Sequence, residues 1–414
     1  MRVLIIGGGI GGLATALALH AAGIEAEVFE AAAEMRPLGV GINLQPHAVR
    51  ELEEMGLAER LADTGIATRE FIYANRFGQT IWAEPRGRAA GYRWPQYSIH
   101  RGRLQLLLWE AVAERLGTAR LHPGRRLTSF GQDETGVTAR FADGSTAQGD
   151  ILVAADGIHS VVRASFHPDE GPPKWNGALL WRAVSVAPPY LTGATMVQAG
   201  HRDRKFVCYP VATLPDGRLL VNWIAEQRYP VDHEWRREDW NRPGRIEDFL
   251  PLFSDWDFGW LDVPALIRAA EAVYEFPMVD RDPLPRWTHG RVTLLGDAAH
   301  PMYPIGSNGA SQAILDARML ARELATRPDW AAALESYEAI RRPATAAVVQ
   351  ANRGDGPDRV MDLVHERAPD GFARLEDVAT REELETIIMQ YKRTAGMDPA
   401  MLNERESWSV HPAG

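Results

Sequence analysis

Short apolar runs alternate with helical periodicity at the start of the chain and predict its first elements. Residues 3–6 form an apolar run that indicates a buried strand, and residues 25–30 indicate a second strand. Between them, a glycine turn leads into an Ala- and Leu-rich segment at residues 10–22, which is typical of a helix packed on a sheet. This order predicts a βαβ unit with two parallel strands.

The rest of the chain continues this pattern and then departs from it. Apolar spacing predicts helices at residues 45–62 and 101–116, and strands at 71–82, 136–141 and 149–155. After about residue 167, β-type runs at 178–186, 205–209 and 218–224 indicate an antiparallel sheet with its own apolar face. A buried strand at 291–295 and a long helical zone at 310–352 follow, and the polar tail after residue 394 is expected to be poorly ordered. We therefore predict an α/β fold in which a Rossmann-like domain is interrupted by a β-rich domain and followed by C-terminal helices.

Composition narrows the possible partners. The 414 residues include 45 Lys and Arg against 55 Asp and Glu, which gives a net charge of -10. The sequence contains no block of five or more basic residues. Nucleic acids and anionic membranes are therefore unfavourable partners, and no apolar run is long enough for a membrane span. Cys208 is the one cysteine and cannot form an internal disulfide, so we expect a reducing cytoplasm and redox chemistry based on a bound cofactor.

The glycine turn carries the spacing Gly7-x-Gly9-x-x-Gly12, and Glu30 ends the second predicted strand. In a dinucleotide fold, these glycines allow a tight turn, the approach of the pyrophosphate and close packing of helix and strand, while the carboxylate binds ribose hydroxyls. An acidic residue here disfavours a 2′-phosphate, so FAD or NAD is expected rather than NADP. The alternative is an ordinary glycine turn in a helix-packed sheet.

A second motif lies far along the chain, where the predicted strand at 291–295 ends in Gly296-Asp297. Asp297 would emerge at the carboxyl edge of the sheet, where α/β folds bind ligands, and it suits a polar chain such as ribityl. The Pro- and Gly-rich loop at residues 301–309 then leads into a helix whose free N–H groups would stabilise negative charge on a reduced flavin ring. The alternative is a turn with a helix cap.

A third apolar strand ends in a turn at Asp156-Gly157, which could also be a plain strand-to-helix turn capped by Ser160. With the three motifs in this order and spacing, the chain resembles the class A flavoprotein monooxygenases, the group of the p-hydroxybenzoate and salicylate hydroxylases. The resemblance covers roughly residues 1–345. It implies FAD as cofactor, NADH or NADPH as a transient donor, and hydroxylation of an aromatic ring by O2 through a flavin C4a-hydroperoxide.

The resemblance also implies roles for matching positions. The glycine motif and Glu30 would hold the ADP half of FAD, Asp297 the ribityl chain, and Arg101 the ribityl-phosphate region. Pro304, Gly306, Asn308 and Gly309 belong to the loop expected beside the flavin ring. The cofactor-binding residues expected on this basis are Gly7, Gly9, Gly12, Glu30, Gly41, Arg101, Asp156, Gly157, Gly296, Asp297, Gly309 and Ala310.

Residues 39–46, 94–101 and 276–285 are similar to the members of this family that hydroxylate 5-methylphenazine-1-carboxylate with loss of the carboxylate. A phenazine- or salicylate-like aromatic or N-heteroaromatic carboxylate is therefore the expected substrate, with decarboxylation left open. No general base and no metal site are assigned. Five side chains could line an aromatic pocket, although residues of this kind more often belong to the plain core: Trp181, Tyr209, Trp223, Met302 and Tyr303.

The same resemblance implies a division of the chain into domains. An FAD-binding domain would comprise residues 1–70, 99–167 and 276–345, a β-rich substrate domain residues 71–98 and 168–275, and a C-terminal helical segment with its tail residues 346–414. The expected partners are a small aromatic substrate and O2, and a monomer and a homodimer both stay open. Two further functions also stay open: a flavin oxidase or dehydrogenase on the same fold, and a non-catalytic FAD-binding protein.

Overall fold

The computed structural model describes residues 1–37, 39–230, 233 and 242–410. Part of the predicted β-rich segment and the last four residues of the predicted tail lie outside these ranges. The strands are β1 (Arg2–Ile6), β2 (Glu25–Glu30), β3 (Gly41–Leu44), β4 (Ile66–Ala67), β5 (Glu70–Ala74), β6 (Thr80–Pro85), β7 (Tyr97–His100), β8 (Leu121–Pro123), β9 (Leu127–Gln132), β10 (Val137–Phe141), β11 (Thr146–Gly149), β12 (Ile151–Ala154), β13 (Lys174–Ala187), β14 (Thr195–His201), β15 (Arg204–Thr213), β16 (Leu219–Arg228), β17 (Tyr274–Asp280) and β18 (Val292–Leu294). The helices are α1 (Ile10–Ala21), α2 (Pro46–Glu54), α3 (Ala58–Thr64), α4 (Arg101–Leu116), α5 (Val161–Phe166), α6 (Ile246–Phe249), α7 (Val263–Arg268), α8 (Gly309–Thr326), α9 (Trp330–Arg353), α10 (Arg359–Arg367), α11 (Arg381–Thr394) and α12 (Pro399–Glu404).

A parallel sheet of five strands forms the first layer, with the order β18-β12-β1-β2-β8. The edge strand β18, its neighbour β12 and the central strand β1 are paired in parallel, and their residues are buried except at the first position of β1. Helix α1 packs on β1 and β2 and also contacts α8, while β11 contacts β1. Cover by such elements explains why the strands of this sheet are apolar runs. The predicted βαβ unit and the α/β fold class are confirmed, and the parallel pairing brings the carboxyl ends of β1, β12 and β18 to one edge.

A second, antiparallel sheet of seven strands has the order β17-β13-β16-β15-β14-β5-β6. Side chains along each strand alternate between an outer face, packed under α6 and α7, and an inner face that looks towards the parallel sheet. Two small antiparallel sheets, β11-β10-β9 and β3-β7-β4, complete the fold. The inner face of the large sheet and the carboxyl edge of the parallel sheet therefore enclose a common space.

Several predicted elements are divided in the structure. The helix expected at 45–62 is two helices, because Gly56 adopts a φ of 73° between α2 and α3. The strand expected at 71–82 is the β5–β6 hairpin, whose turn is held by the side-chain oxygen of Asn75 accepting from the N–H groups of Phe77 and Gln79. The helical zone at 310–352 breaks before Asp329, which caps α9 by accepting from Ala332 N.

The C-terminal region is more ordered than expected. The predicted polar tail contains helix α12, and the carbonyl oxygen of Leu402 accepts a hydrogen bond of 3.0 Å from Arg50 on α2. Arg405 forms an ion pair with the buried carboxylate of Glu51. The expectation of a poorly ordered tail after residue 394 was wrong as far as residue 410, because these polar side chains find partners in the first hundred residues.

The expected boundary at residue 276 also shifts. Strand β17 crosses it and pairs along its length with β13, so it belongs to the seven-stranded sheet up to Asp280. None of the helices in the described parts of the chain is both long and apolar enough to cross a bilayer.

Gly41 joins the two halves of the fold. Its N–H donates to the Asn222 side-chain oxygen at 2.7 Å, and its carbonyl accepts from the Arg182 guanidinium at 2.9 Å. Both partners lie on the large sheet, whereas Gly41 begins β3. A methyl group here would lie 2.7 Å from the Asn222 Cβ and 2.8 Å from a ring carbon of Tyr209, so the contact requires glycine.

We expect Gly41→Ala to lower the free energy of unfolding by about 1–3 kcal/mol, because the added methyl overpacks a buried junction. Urea denaturation of the full chain measures this change. Gly131→Ala is the matched control, since its methyl would meet only the flexible end of Arg140 at 3.4 Å. Equal stability of the two variants would contradict the proposed role of this junction.

Candidate functional site

A cavity of about 430 Å³ lies between the parallel sheet and the inner face of the seven-stranded sheet. Its walls come from the turn after β1, the ends of β12 and β18, the start of α8 and helix α11. Of the predicted site residues, those that line it are Gly9, Arg101, Gly157, Tyr209, Gly296, Asp297, Met302, Pro304, Gly306, Asn308, Gly309 and Ala310. The structure thus brings the early, middle and late motifs of the chain to one cavity.

The glycine turn leaves room where a phosphate would approach. A methyl at Gly7 would lie 2.3 Å from the Ala155 carbonyl oxygen, and one at Gly12 would lie 1.9 Å from the Gly7 carbonyl oxygen. These two glycines therefore permit the close packing of strand, turn and helix. A methyl at Gly9 would meet nothing within 4 Å, and Gly9 faces the cavity at the N-terminus of α1. This open backbone at a positive helix end suits a pyrophosphate.

Glu30 lies beside this turn, at the end of β2. Its carboxylate accepts hydrogen bonds of 2.7 Å from the N–H groups of Gly8 and Ala32. Each carboxylate oxygen retains further acceptor capacity. Glu30 is thus held in place next to the glycine turn, where a ribose hydroxyl could donate to it.

Asp316 fixes the backbone at the end of β18. It accepts from Gly296 N at 3.1 Å, His300 Nε2 at 2.5 Å and Arg341 Nε at 2.7 Å, and it is fully buried. Burial alone would raise its pKa, but the charges of His300 and Arg341 outweigh burial and lower the pKa of Asp316 to about 2. The carboxylate therefore stays ionised, and it ties α8 and α9 to the strand end.

Asp297 directly follows Gly296, whose N–H is held by Asp316, and the side chain of Asp297 faces the cavity. Protein atoms surround it closely, yet its side chain is accessible because it faces the cavity. Burial raises the pKa of Asp297, against the opposing charges of His300 and Arg101. Such a carboxylate gains from a hydrogen-bond donor, as a polyol chain would supply.

The loop between β18 and α8 is held in an unusual shape by helix α11. Gly306 and Ser307 adopt φ values of 67° and 55°. The Tyr391 hydroxyl lies within hydrogen-bonding distance of the Ile305 carbonyl oxygen at 3.1 Å, and it accepts from Asn308 Nδ2 at 3.0 Å. The loop therefore presents the N-terminus of α8 to the cavity in one fixed arrangement, where it favours negative charge.

Asp156 and Gly41, two predicted cofactor residues, lie outside the cavity wall. Asp156 does not line the cavity, because its carboxylate turns towards α5 and accepts from Val161 N at 3.0 Å. Burial raises the pKa of Asp156 to about 6. Its neighbour Gly157 does face the cavity, as does Arg101 at the start of α4. Gly41 is not in the cavity wall, since both of its backbone groups are used in the junction with the large sheet.

Of the five residues predicted to line an aromatic pocket, the structure places two in the cavity wall and three outside it. Tyr209 and Met302 line the cavity. Trp181 and Trp223 lie in the core beyond the large sheet, where their indole N–H groups donate to Glu275 and Ser185. Strand alternation explains the error, because the neighbours of these tryptophans face the cavity instead. Tyr303 is buried in a core beside the cavity and is absent from its wall.

Charged residues of the cavity wall were missed. The buried Lys205 on β15 pairs with Glu226 at 3.4 Å and with Asp358 at 2.7 Å. The others in the wall are Arg182, Glu84, Arg86 and Lys392. Residues two apart on a strand share a face, so a strand position for Leu180 in the cavity wall would also have placed Arg182 there. Sequence pattern held no signal for Lys392, because its partner Glu84 is 308 residues away.

Comparisons with known proteins agree with this site. The model of the family described as FAD binding domain matches residues 1–352. The chain is 50% identical over 361 residues to the phenazine 1,6-dicarboxylic acid hydroxylase of Lysobacter antibioticus, covering 85% of this chain and 89% of that protein. It is 32% identical to the 6-hydroxynicotinate 3-monooxygenase of Bordetella bronchiseptica, covering 88% and 91%. A solved variant of Klebsiella pneumoniae HpxO complexed with FAD has a TM-score of 0.77 and 26% identity, covering 97% of this chain and 100% of that one.

We expect Asp316→Asn to lower the free energy of unfolding by about 3–5 kcal/mol, because it leaves the buried Arg341 guanidinium without a counter-charge. Urea denaturation at neutral pH measures the effect. Asp216→Asn, which removes an exposed carboxylate paired with Arg218, is the control and should leave the unfolding midpoint in place. A midpoint for Asp316→Asn that equals the control would rule out the anchoring role.

Proposed function

This chain belongs to the FAD binding domain family, and on that premise we propose that it hydroxylates a fused N-heteroaromatic carboxylate of the phenazine type. It is an FAD-dependent aromatic monooxygenase, as its curated relatives are. The finer parts of the proposal are the phenazine-type substrate, NADH or NADPH as the electron donor, and a reducing cytoplasm as the location. The 50% identity to a phenazine dicarboxylate hydroxylase supports the substrate class.

The residues present fit FAD. Gly7, Gly9 and Gly12 would accommodate the pyrophosphate, and the open space at Gly9 supports this placement. Glu30 would accept from the ribose of the adenosine half. Asp297 would accept from the ribityl hydroxyls, with Arg101 nearby, since both face the cavity.

The flavin ring would lie beside the loop formed by Pro304, Gly306, Asn308 and Gly309. Bound FAD would supply the redox chemistry, taking electrons from the nicotinamide donor and using O2 to place one oxygen on the ring of the substrate. The N-terminus of α8, with Gly309 and Ala310 in the cavity wall, would favour negative charge on the flavin. We assign no proton transfer to a side chain, because no group in this part of the wall is placed for it.

One observation carries the proposal: the edge that presents Asp297 continues directly into an apolar wall. The inner face of the large sheet contributes Leu180, Met196, Val207 and Ile224 to the same cavity. A flat aromatic ring on this wall would be oriented towards the loop at residues 304–309, and water would be excluded from it.

The proposal is tested with the purified holoenzyme. Phenazine-1-carboxylate, quinoline carboxylates and salicylate are added in turn, while NADH or NADPH consumption is followed and products are analysed by mass spectrometry. We expect a phenazine carboxylate to accelerate donor consumption and to gain one oxygen atom. Substrate oxidation without a nicotinamide donor would instead indicate an oxidase or dehydrogenase, and flavin that is never reduced would indicate a non-catalytic FAD-binding protein.

Asp297→Asn should weaken FAD binding about ten- to hundredfold, because the ionised carboxylate makes stronger hydrogen bonds to hydroxyls than an amide does. Titration of the apoprotein, followed by flavin fluorescence, measures the dissociation constant. Glu376→Gln removes an exposed carboxylate remote from the cavity and serves as control. An unchanged dissociation constant for Asp297→Asn would remove Asp297 from the proposed FAD site.

A further inference from the structure

One end of the cavity holds a buried cluster of three charged side chains that the chemistry above does not use. Glu84 lies on β6, Arg86 follows that strand, and Lys392 lies on α11. All three line the cavity, and their side chains are only 8–11% exposed. Glu84 therefore lies on an edge strand of the large sheet, and Lys392 contacts it from α11.

The cluster carries an excess positive charge. One oxygen of Glu84 lies 2.8 Å from an Arg86 guanidinium nitrogen, and the other lies 2.8 Å from Lys392 Nζ. A single carboxylate thus stands between two cations. Arg86 Nε is also buried without a hydrogen-bond partner. Buried cationic groups are costly unless they are paired, so this arrangement favours a second anion.

The immediate surroundings add to this imbalance. The Arg86 guanidinium stacks 4.7 Å above the ring of Phe71, a contact that suits a cation but supplies no counter-charge. Burial lowers the pKa of Lys392, and the nearby charge of Arg86 lowers it further, against the attraction of Glu84 and of Asp398. Asp398 is outside the cavity wall, so within the wall a single carboxylate lies between the two cations.

The other cationic side chains of the cavity wall have partners or lie at another part of the cavity. Lys205 is paired with two carboxylates, so its surroundings carry a net negative charge. Arg182 donates to the Gly41 carbonyl and helps to join the two halves of the fold. Arg101 lies at the start of α4, beside the turn expected to hold the nucleotide.

We propose that Arg86 and Lys392 form the receptor for a carboxylate group of the aromatic substrate. This inference rests on the proposed function, since it names the part of the substrate that this end of the cavity binds. The substrate carboxylate would accept from Arg86 Nε and from Lys392 Nζ, completing the charge balance of the cluster. Phe71 and Met196, which line the cavity beside it, would contact the ring. Arg86 and Lys392 would therefore select carboxylated over neutral rings.

The same cluster could act only as a structural link that holds α11 to β6, and the test separates the two roles. Arg86→Gln and Lys392→Gln are prepared as holoenzymes, and KM and kcat are measured with phenazine-1-carboxylate and with neutral phenazine. We expect KM for the carboxylate to rise about ten- to hundredfold, with a much smaller change in kcat. Constants for neutral phenazine should move less than threefold. Arg86→Lys should restore part of the loss.

The matched controls are Arg88→Gln and Arg393→Gln, which remove exposed positive charges close by in the sequence. Both should keep the wild-type KM. Glu84→Gln should lower KM for the carboxylate, because it removes the internal competitor for the two cations. Equal losses with the carboxylate and the neutral ring, or a raised KM in Glu84→Gln, would show a structural link and overturn the proposal.

Binding is also measured directly, by calorimetric titration of the holoenzyme with phenazine-1-carboxylate. Wild-type binding without any turnover, together with its loss in Arg86→Gln, would support the receptor and contradict the proposed function alone. Turnover by the wild type, with unchanged affinity in Arg86→Gln and Lys392→Gln, would contradict the receptor alone. The two failures are therefore distinguishable.

Discussion

The buried carboxylate of Asp316 is the interaction on which the cofactor side of the cavity depends. It joins the N–H of Gly296 and the imidazole of His300, which lie in the segment after β18, to the guanidinium of Arg341 on α9. Because these groups keep it ionised, its geometry is set by charge as well as by packing. The direction of Asp297 and the position of the α8 N-terminus follow from that one side chain. Rigid placement of this kind is what positions a cofactor against a substrate.

Parallel strand pairing supplies the rest of the arrangement. Strands β1, β12 and β18 are neighbours in the sheet although residues 2–6 and 292–294 are nearly three hundred positions apart. Their carboxyl ends therefore meet at one edge, and the turns after them face one cavity. The inner face of the antiparallel sheet lines the same cavity as this edge. Both backbone groups of Gly41 form hydrogen bonds with side chains of the antiparallel sheet and so join β3 to it.

The sequence patterns correctly predicted those elements whose formation depends on residues close to one another in the chain. The βαβ unit, helix α4 and the turn at Gly296-Asp297 followed from apolar periodicity and glycine spacing. Trp181 and Trp223 were misplaced because a strand buried on both faces gives no alternation by which to tell them apart. The contact between Glu84 and Lys392 joins residues 308 positions apart, and nothing in either neighbourhood indicates the other. A C-terminal helical segment was predicted, but neither helix α12 nor the place of α11 in the cavity wall was.

The energetics of buried charge connect these observations to substrate choice. A buried ionic cluster seldom stabilises a fold more than well-packed apolar side chains would. The Asp316 carboxylate is balanced by the Arg341 guanidinium and anchors Gly296 beside a cavity residue, so its cost is offset by the geometry that it enforces. The Arg86–Glu84–Lys392 cluster is not balanced, and it faces open cavity rather than packed core. The fold does not need the excess positive charge of this cluster. The negative charge of a substrate carboxylate that enters the cavity explains it.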